Sequence, residues 1–122
     1  MESILIIEDD ALLRKMYWRF LESAGYEVVE ASDGHEGVKI YQENPADLVI
    51  TDLIMPKKEG IEVILALKRD HPDVKIIAIS GGGKNHPESY LYMAKKLGAM
   101  QTLSKPIDRK LLLKVVSECL ST

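Results

Sequence analysis

Five short apolar runs, each followed by a stretch of helical periodicity, constrain this chain more than any other feature. Residues 4–7, 27–31, 48–52, 75–79 and 100–103 each carry a brief, mostly branched apolar run, which suits buried strands. Between and after them, apolar residues recur every three to four positions. Leu13, Phe20, Leu21 and Ala24 mark a first helix, and Val38, Ile40 and Tyr41 a second. Ile61, Ile64, Leu65 and Leu67 mark the third, and Tyr90, Leu91, Met93, Ala94 and Leu97 the fourth. Leu111, Leu112, Val115, Val116 and Cys119 form one stripe on the fifth, over residues 108–120. The connections are too long for hairpins. Right-handed crossovers follow, and with them an α/β parallel sheet covered by helices on both faces.

The breaks between elements carry their own chemistry. Asp10 is placed to cap the first helix and Gly25 to stop it. Asp33 with Glu36 resembles a capping box, and Asn44-Pro45 ends the second helix. His71-Pro72-Asp73 breaks the third, Pro87 suits the first turn of the fourth, and Gly98 ends it. With 122 residues the chain fits one domain, 1–122, able to bury a core without metal or disulfide. No apolar run approaches the ~20 residues of a membrane span, so no membrane contact is expected. Residues 1–4 lack a basic region, and Glu8, Asp9 and Asp10 interrupt any signal-peptide core, which makes a cytoplasmic location the expectation. Cys119, the single cysteine, reads as a buried spacer. A net charge of −3 with no long basic run argues against direct nucleic-acid binding. His35, His71 and His86 lack metal-ligand spacing, and Trp18 reads as partly exposed packing on the first helix.

In an open parallel sheet the strand C-terminal ends share one edge, where ligands bind. Glu8, Asp9, Asp52, Ser80 and Lys105 all lie at or just beyond such ends and should converge. Taken singly, each has an ordinary alternative as cap, turn residue or surface charge. Taken together, three crowded carboxylates would raise one another's pKa unless a cation shared them, and an all-oxygen set suits a hard ion such as Mg2+. Asp52 is then able to act as a nucleophile on phosphorus, forming an acyl phosphate. Lys105, the Ser80 hydroxyl and the Gly81 amide supply donors for phosphoryl oxygens.

On these residues the chain resembles the receiver domains of two-component response regulators, in extent the single-domain chemotaxis type. The acidic pair of that family falls on Glu8 and Asp9, the phosphoacceptor on Asp52, the hydroxyl residue on Ser80 and the lysine-proline pair on Lys105 and Pro106. The resemblance implies a flavodoxin-like, doubly wound, five-stranded sheet of order 2-1-3-4-5 with five helices. It implies Mg2+ held by Asp9, Asp52 and the backbone carbonyl of Ile54, with Glu8 acting through water, and a cis Lys105-Pro106 bond. It also implies a histidine kinase or phosphotransfer protein as donor, and a downstream protein or attached effector domain as target.

The chain departs from the family pattern at Thr102, where an aromatic is common, and in the glycine-rich run Gly81-Gly82-Gly83. Neither Ile54 nor Gly82 offers a side chain able to orient a hydrolytic water. Three other readings stand beside this one: a module holding a phosphate or flavin in the same crevice, an aspartate-nucleophile phosphohydrolase, and an adaptor with a vestigial site. Acidic Glu8 and Asp9 oppose the first, and Leu53 and Ile54, standing where a second acid would be needed, oppose the second. The complete constellation opposes the third.

Overall fold

A computed structural model describes residues 1–53, 60–81 and 87–122, with the backbone alone for 87–91. The elements follow as β1 (Ser3–Ile7), α1 (Ala11–Ser23), β2 (Glu27–Ala31), α2 (Gly34–Glu43), β3 (Leu48–Asp52), α3 (Gly60–Asp70), β4 (Ile76–Ser80), α4 (Pro87–Leu97), β5 (Gln101–Ser104) and α5 (Arg109–Leu120). The strands form one sheet in the order β2-β1-β3-β4-β5, every neighbouring pair parallel. This is the flavodoxin-like arrangement expected from the sequence.

Why the inner strands read as unbroken apolar runs is plain from the two cores. Side chains alternate across a strand, so a strand covered on both faces must be apolar at every position. Leu5 and Ile7, Val49, and Ile76 and Ala78 face Val63, Ile64, Leu67 and Ala94 of α3 and α4, with Tyr41 of α2. Ile4 and Ile6, Leu48 and Ile50, and Ile77 and Ile79 face Tyr17 and Leu21 of α1 and Leu112, Val115, Val116 and Cys119 of α5. Burying each such side chain contributes about 1.5–3 kcal/mol. None of the described helices is long and apolar enough to cross a membrane.

The first two helix starts are built as the sequence indicates, and α5 begins one residue later than expected, with Asp108 as its cap. The Asp10 carboxylate accepts from the amides of Leu12 and Leu13 at 2.9 and 3.2 Å, and Asp108 accepts from Leu111 at 2.7 Å. Asp33 accepts from the Glu36 amide at 2.8 Å, but Glu36 reaches back to the amide of Ser32, one residue before the cap. Gly25, with φ of 96°, turns the chain out of α1.

Several expectations need correction. β4 runs one residue later than 75–79 and β5 one later than 100–103, so Ser80 is the last strand residue and pairs with Ser104 instead of opening a loop. The ladder continues because the Lys105 amide donates to the Ser80 carbonyl at 2.8 Å. Leu65 and Leu111, placed on the apolar stripes, face solvent at 50% and 40% exposure. Each stands beside a residue that does face the core, Ile64 and Leu112, and a helical step of about 100° turns the neighbour away. The Lys105-Pro106 bond is cis. The expectations placed on Ile54, Gly82, Gly83 and His86, and on the side chains of Pro87, Tyr90 and Leu91, lie outside the described residues.

Candidate phosphoacceptor site

Glu8 follows β1 directly, and its amide donates to the Ala31 carbonyl at 3.1 Å, extending the β1–β2 ladder past the strand. Three further ties fix this acidic turn. The Glu8 carboxylate accepts from the Asp10 amide at 3.2 Å, and Arg14 Nη1 donates to the Glu8 carbonyl at 2.8 Å. Arg14 is itself held by Glu30 at 3.2 Å, and Lys15 shares that carboxylate at 2.9 Å. Asp9 is thereby left exposed while Glu8 is buried.

Asp52 closes β3 and is 6% exposed. Its carbonyl accepts from the Thr51 hydroxyl at 3.0 Å, and the next amide, Leu53, donates to the Ile79 carbonyl at 2.9 Å. Gly60 then brings α3 against this strand end: its amide donates to the Leu53 carbonyl at 2.9 Å. A Cβ at Gly60 would overlap the Asp52 carbonyl oxygen and Leu53 Cα, so only glycine permits the approach.

The charged groups meet across the sheet edge. Lys105 Nζ lies 3.0 Å from Glu8 Oε1 and 3.5 Å from Asp52 Oδ2. Carboxylate oxygens of Glu8, Asp9 and Asp52 all lie within 4.8 Å of one another. The Ser80 hydroxyl is fully buried and, among the described residues, has no hydrogen-bond partner. Gly81, half-buried, lies beside the lysine stem, where a Cβ would sit 3.4 Å from Lys105 Cδ.

Burial, and then the charge of Asp52, push the Glu8 carboxyl up to about 7, against the pull of the Lys105 and Asp10 contacts. Burial presses Lys105 the other way, but its bond to Glu8 and the charge of Asp52 outweigh it and raise its pKa. Among the described residues, Lys105 contacts both buried carboxylates. All three acids offer oxygen, the donor a hard divalent ion prefers, so Mg2+ fits this cluster.

Glu8, Asp9, Asp52, Ser80, Gly81 and Lys105 therefore do converge at one edge, and the Ile54 carbonyl lies outside the described residues. Sequence reasoning passed over Arg14, Thr51 and Gly60. Gly60 carries a signal, a glycine opening a helix shortly after β3. Arg14 and Thr51 carried none, because their partners are a backbone carbonyl and a distant strand.

Comparison with known proteins agrees with this geometry. Residues 4–117 match the family model described as the response regulator receiver domain. The chemotaxis protein CheY of Thermotoga maritima is 36% identical over 106 residues, covering 86% of each chain. A response regulator of Streptococcus pneumoniae is 33% identical over 92% of this chain but only 50% of its own length. The sensor kinase CckA of Brucella abortus, 34% identical, is matched over 12% of its length. The chain thus spans half or less of some curated relatives it matches. Among solved structures, a receiver domain protein of Clostridium thermocellum superposes with a TM-score of 0.91 at 31% identity, covering 99% of this chain and 95% of that one. With the acidic turn, the strand-end aspartate and the lysine meeting as they do, this chain belongs to the response regulator receiver domain family.

Proposed function

We propose that residues 1–122 act as one phosphoacceptor unit in which Asp52 takes a phosphoryl group from the phosphohistidine of a histidine kinase or phosphotransfer protein. The observation that carries this is the Lys105 ammonium set between Glu8 and Asp52, 3.0 and 3.5 Å away, with the buried Ser80 hydroxyl on the adjoining strand end. A carboxylate oxygen of Asp52 attacks phosphorus as the phosphorus–nitrogen bond to the donor imidazole breaks, and the imidazole leaves with that electron pair. Lys105 is then drawn toward a phosphoryl oxygen, and the Ser80 hydroxyl and Gly81 amide donate to others. Asp9, Asp52 and the Ile54 carbonyl would hold Mg2+, with Glu8 acting through water; when bound, the ion supplies charge neutralisation as the phosphoryl group arrives. The same residues assist dephosphorylation, in which a water oxygen attacks phosphorus as the bond to the Asp52 oxygen breaks, and the carboxylate leaves with that electron pair. The phosphorylated state passes its signal through the β4–α4 connection and the α4-β5-α5 face to a downstream protein or an attached effector domain.

Intact-mass spectrometry with acetyl phosphate tests the assignment. One phosphoryl group is expected on the wild-type chain with Mg2+ and none without it, and none on Asp52→Asn. A phosphorylated Asp52→Asn protein would overturn the role given to Asp52.

A further inference from the structure

A cavity of about 370 Å3 opens beside the acceptor site, between α1 and the turn formed by residues 105–107. Leu13, Met16 and Tyr17 form its α1 wall, and Gly81 completes the side nearest β4. Among the described lining residues only two carry polar side-chain groups, Lys105 and Tyr17. Tyr17 is 1% exposed, its ring packed in the α1–α5 core with Ile4, Ile6 and Ile107. A buried phenol ring is held fast, so Tyr17 is a fixed part of an otherwise apolar wall.

The ammonium of Lys105 has three donors. Glu8 and Asp52 contact it, and Lys105 also lines the cavity that Tyr17 lines. The volume is ample for water, which needs polar partners of this kind to remain ordered. The charges of Lys105, Glu8 and Asp52 all act on the Tyr17 hydroxyl, after burial the main influences on it, and Tyr17 in turn acts on Lys105.

We infer that Tyr17 is a positioning residue for Lys105, its hydroxyl holding the ammonium through one water in the cavity both residues line, as the lysine shifts from the carboxylates to the incoming phosphoryl group. This rests on the phosphoacceptor role of Asp52. Its chemistry is simple: the bridging water accepts a hydrogen bond from the ammonium and donates one to the phenol oxygen, so the lysine enters the reaction already oriented.

Tyr17→Phe removes the hydroxyl and keeps the ring. At saturating Mg2+ and acetyl phosphate it is expected to slow Asp52 phosphorylation about fivefold, the rate equivalent of one lost hydrogen bond. Thermal stability and the Mg2+ concentration giving half-maximal rate should not change. The proton–nitrogen NMR signal of the Lys105 ammonium in the unphosphorylated protein, assigned by its loss in Lys105→Arg, should shift or broaden in Tyr17→Phe. A wild-type rate, a loss that appears only as a higher Mg2+ requirement, or an unchanged Lys105 signal would each overturn the inference. A wild-type chain that takes up no phosphoryl group would instead sink the function of Asp52, and the NMR signal would still decide the role of Tyr17.

Discussion

At the scale of single residues, Glu8 is the most perturbed group of the site, and it makes stability depend on pH. Its carboxyl titrates at about 7 in the folded chain against an ordinary value of 4.5, so the native state binds the proton more tightly than the unfolded one. That contribution is fully present below pH 4.5 and is lost as pH rises through about 7. The shift corresponds to about 3 kcal/mol. Urea denaturation of metal-free protein should therefore show stability falling across this window, and Glu8→Gln should flatten the fall. An identical slope in the variant would mean that burial does not penalise this carboxylate. The neighbouring acid, Asp9, is exposed and takes a direct place in the proposed ion site. Asp9→Ala is expected to weaken Mg2+ binding far more than Glu8→Ala, measured by titration of Trp18 fluorescence, and equal effects would contradict the roles assigned to them.

At the scale of elements, two contacts decide how helices sit on the sheet. α3 begins with Gly60 pressed against the Asp52 carbonyl and Leu53 Cα, both backbone atoms that cannot swing aside. Gly60→Ala should cost about 1–3 kcal/mol by overpacking, although alanine is the better helix former, and it should disturb Asp52 in the process. Chemical denaturation with a phosphorylation assay reads both, and a stabilised, fully active variant would show that the strand end is looser than this geometry implies. On α5 the neighbours Leu111 and Leu112 part company: Leu112 is fully buried and Leu111 is 40% exposed. Leu112→Ala should cost about 2–5 kcal/mol and Leu111→Ala much less. Comparable losses would place the helix in a different rotation on the sheet.

At the scale of the whole molecule, the parallel sheet delivers β1, β3, β4 and β5 to one edge, so a charge change at Asp52 is felt at once by Ser80 and Lys105. No large ring at position 102 is available to trade places between buried and exposed states. The proposed switch therefore relies on the Ser80 hydroxyl closing on the phosphoryl group and on the β4–α4 connection that follows it. Hydrogen exchange on the beryllofluoride-loaded protein should show new protection over residues 80–90 that Ser80→Ala removes. Unchanged exchange there would send the signal by another route.

The sequence by itself determined the number, order and kind of the elements, because periodicity and capping residues act locally: Asp10 and Asp33 cap the helices they precede. It also placed Glu8, Asp9, Asp52, Ser80 and Lys105 at strand ends, from which a parallel sheet brings them together without further information. Tertiary structure decided the rest. Whether Leu65 or Leu111 meets the core depends on how a helix is rotated against the sheet, a quantity no local pattern contains when adjacent residues are equally apolar. Ser80 belongs to β4 because β5 lies beside it to continue the ladder. Glu8 is buried and Asp9 exposed, although both are acids in the same turn, because Arg14 and Glu30 anchor the backbone between them from α1 and β2. The glycine at position 60 and the phenol at position 17 acquire their meaning only from the atoms packed against them, since close approach and a shared cavity are properties of three-dimensional space.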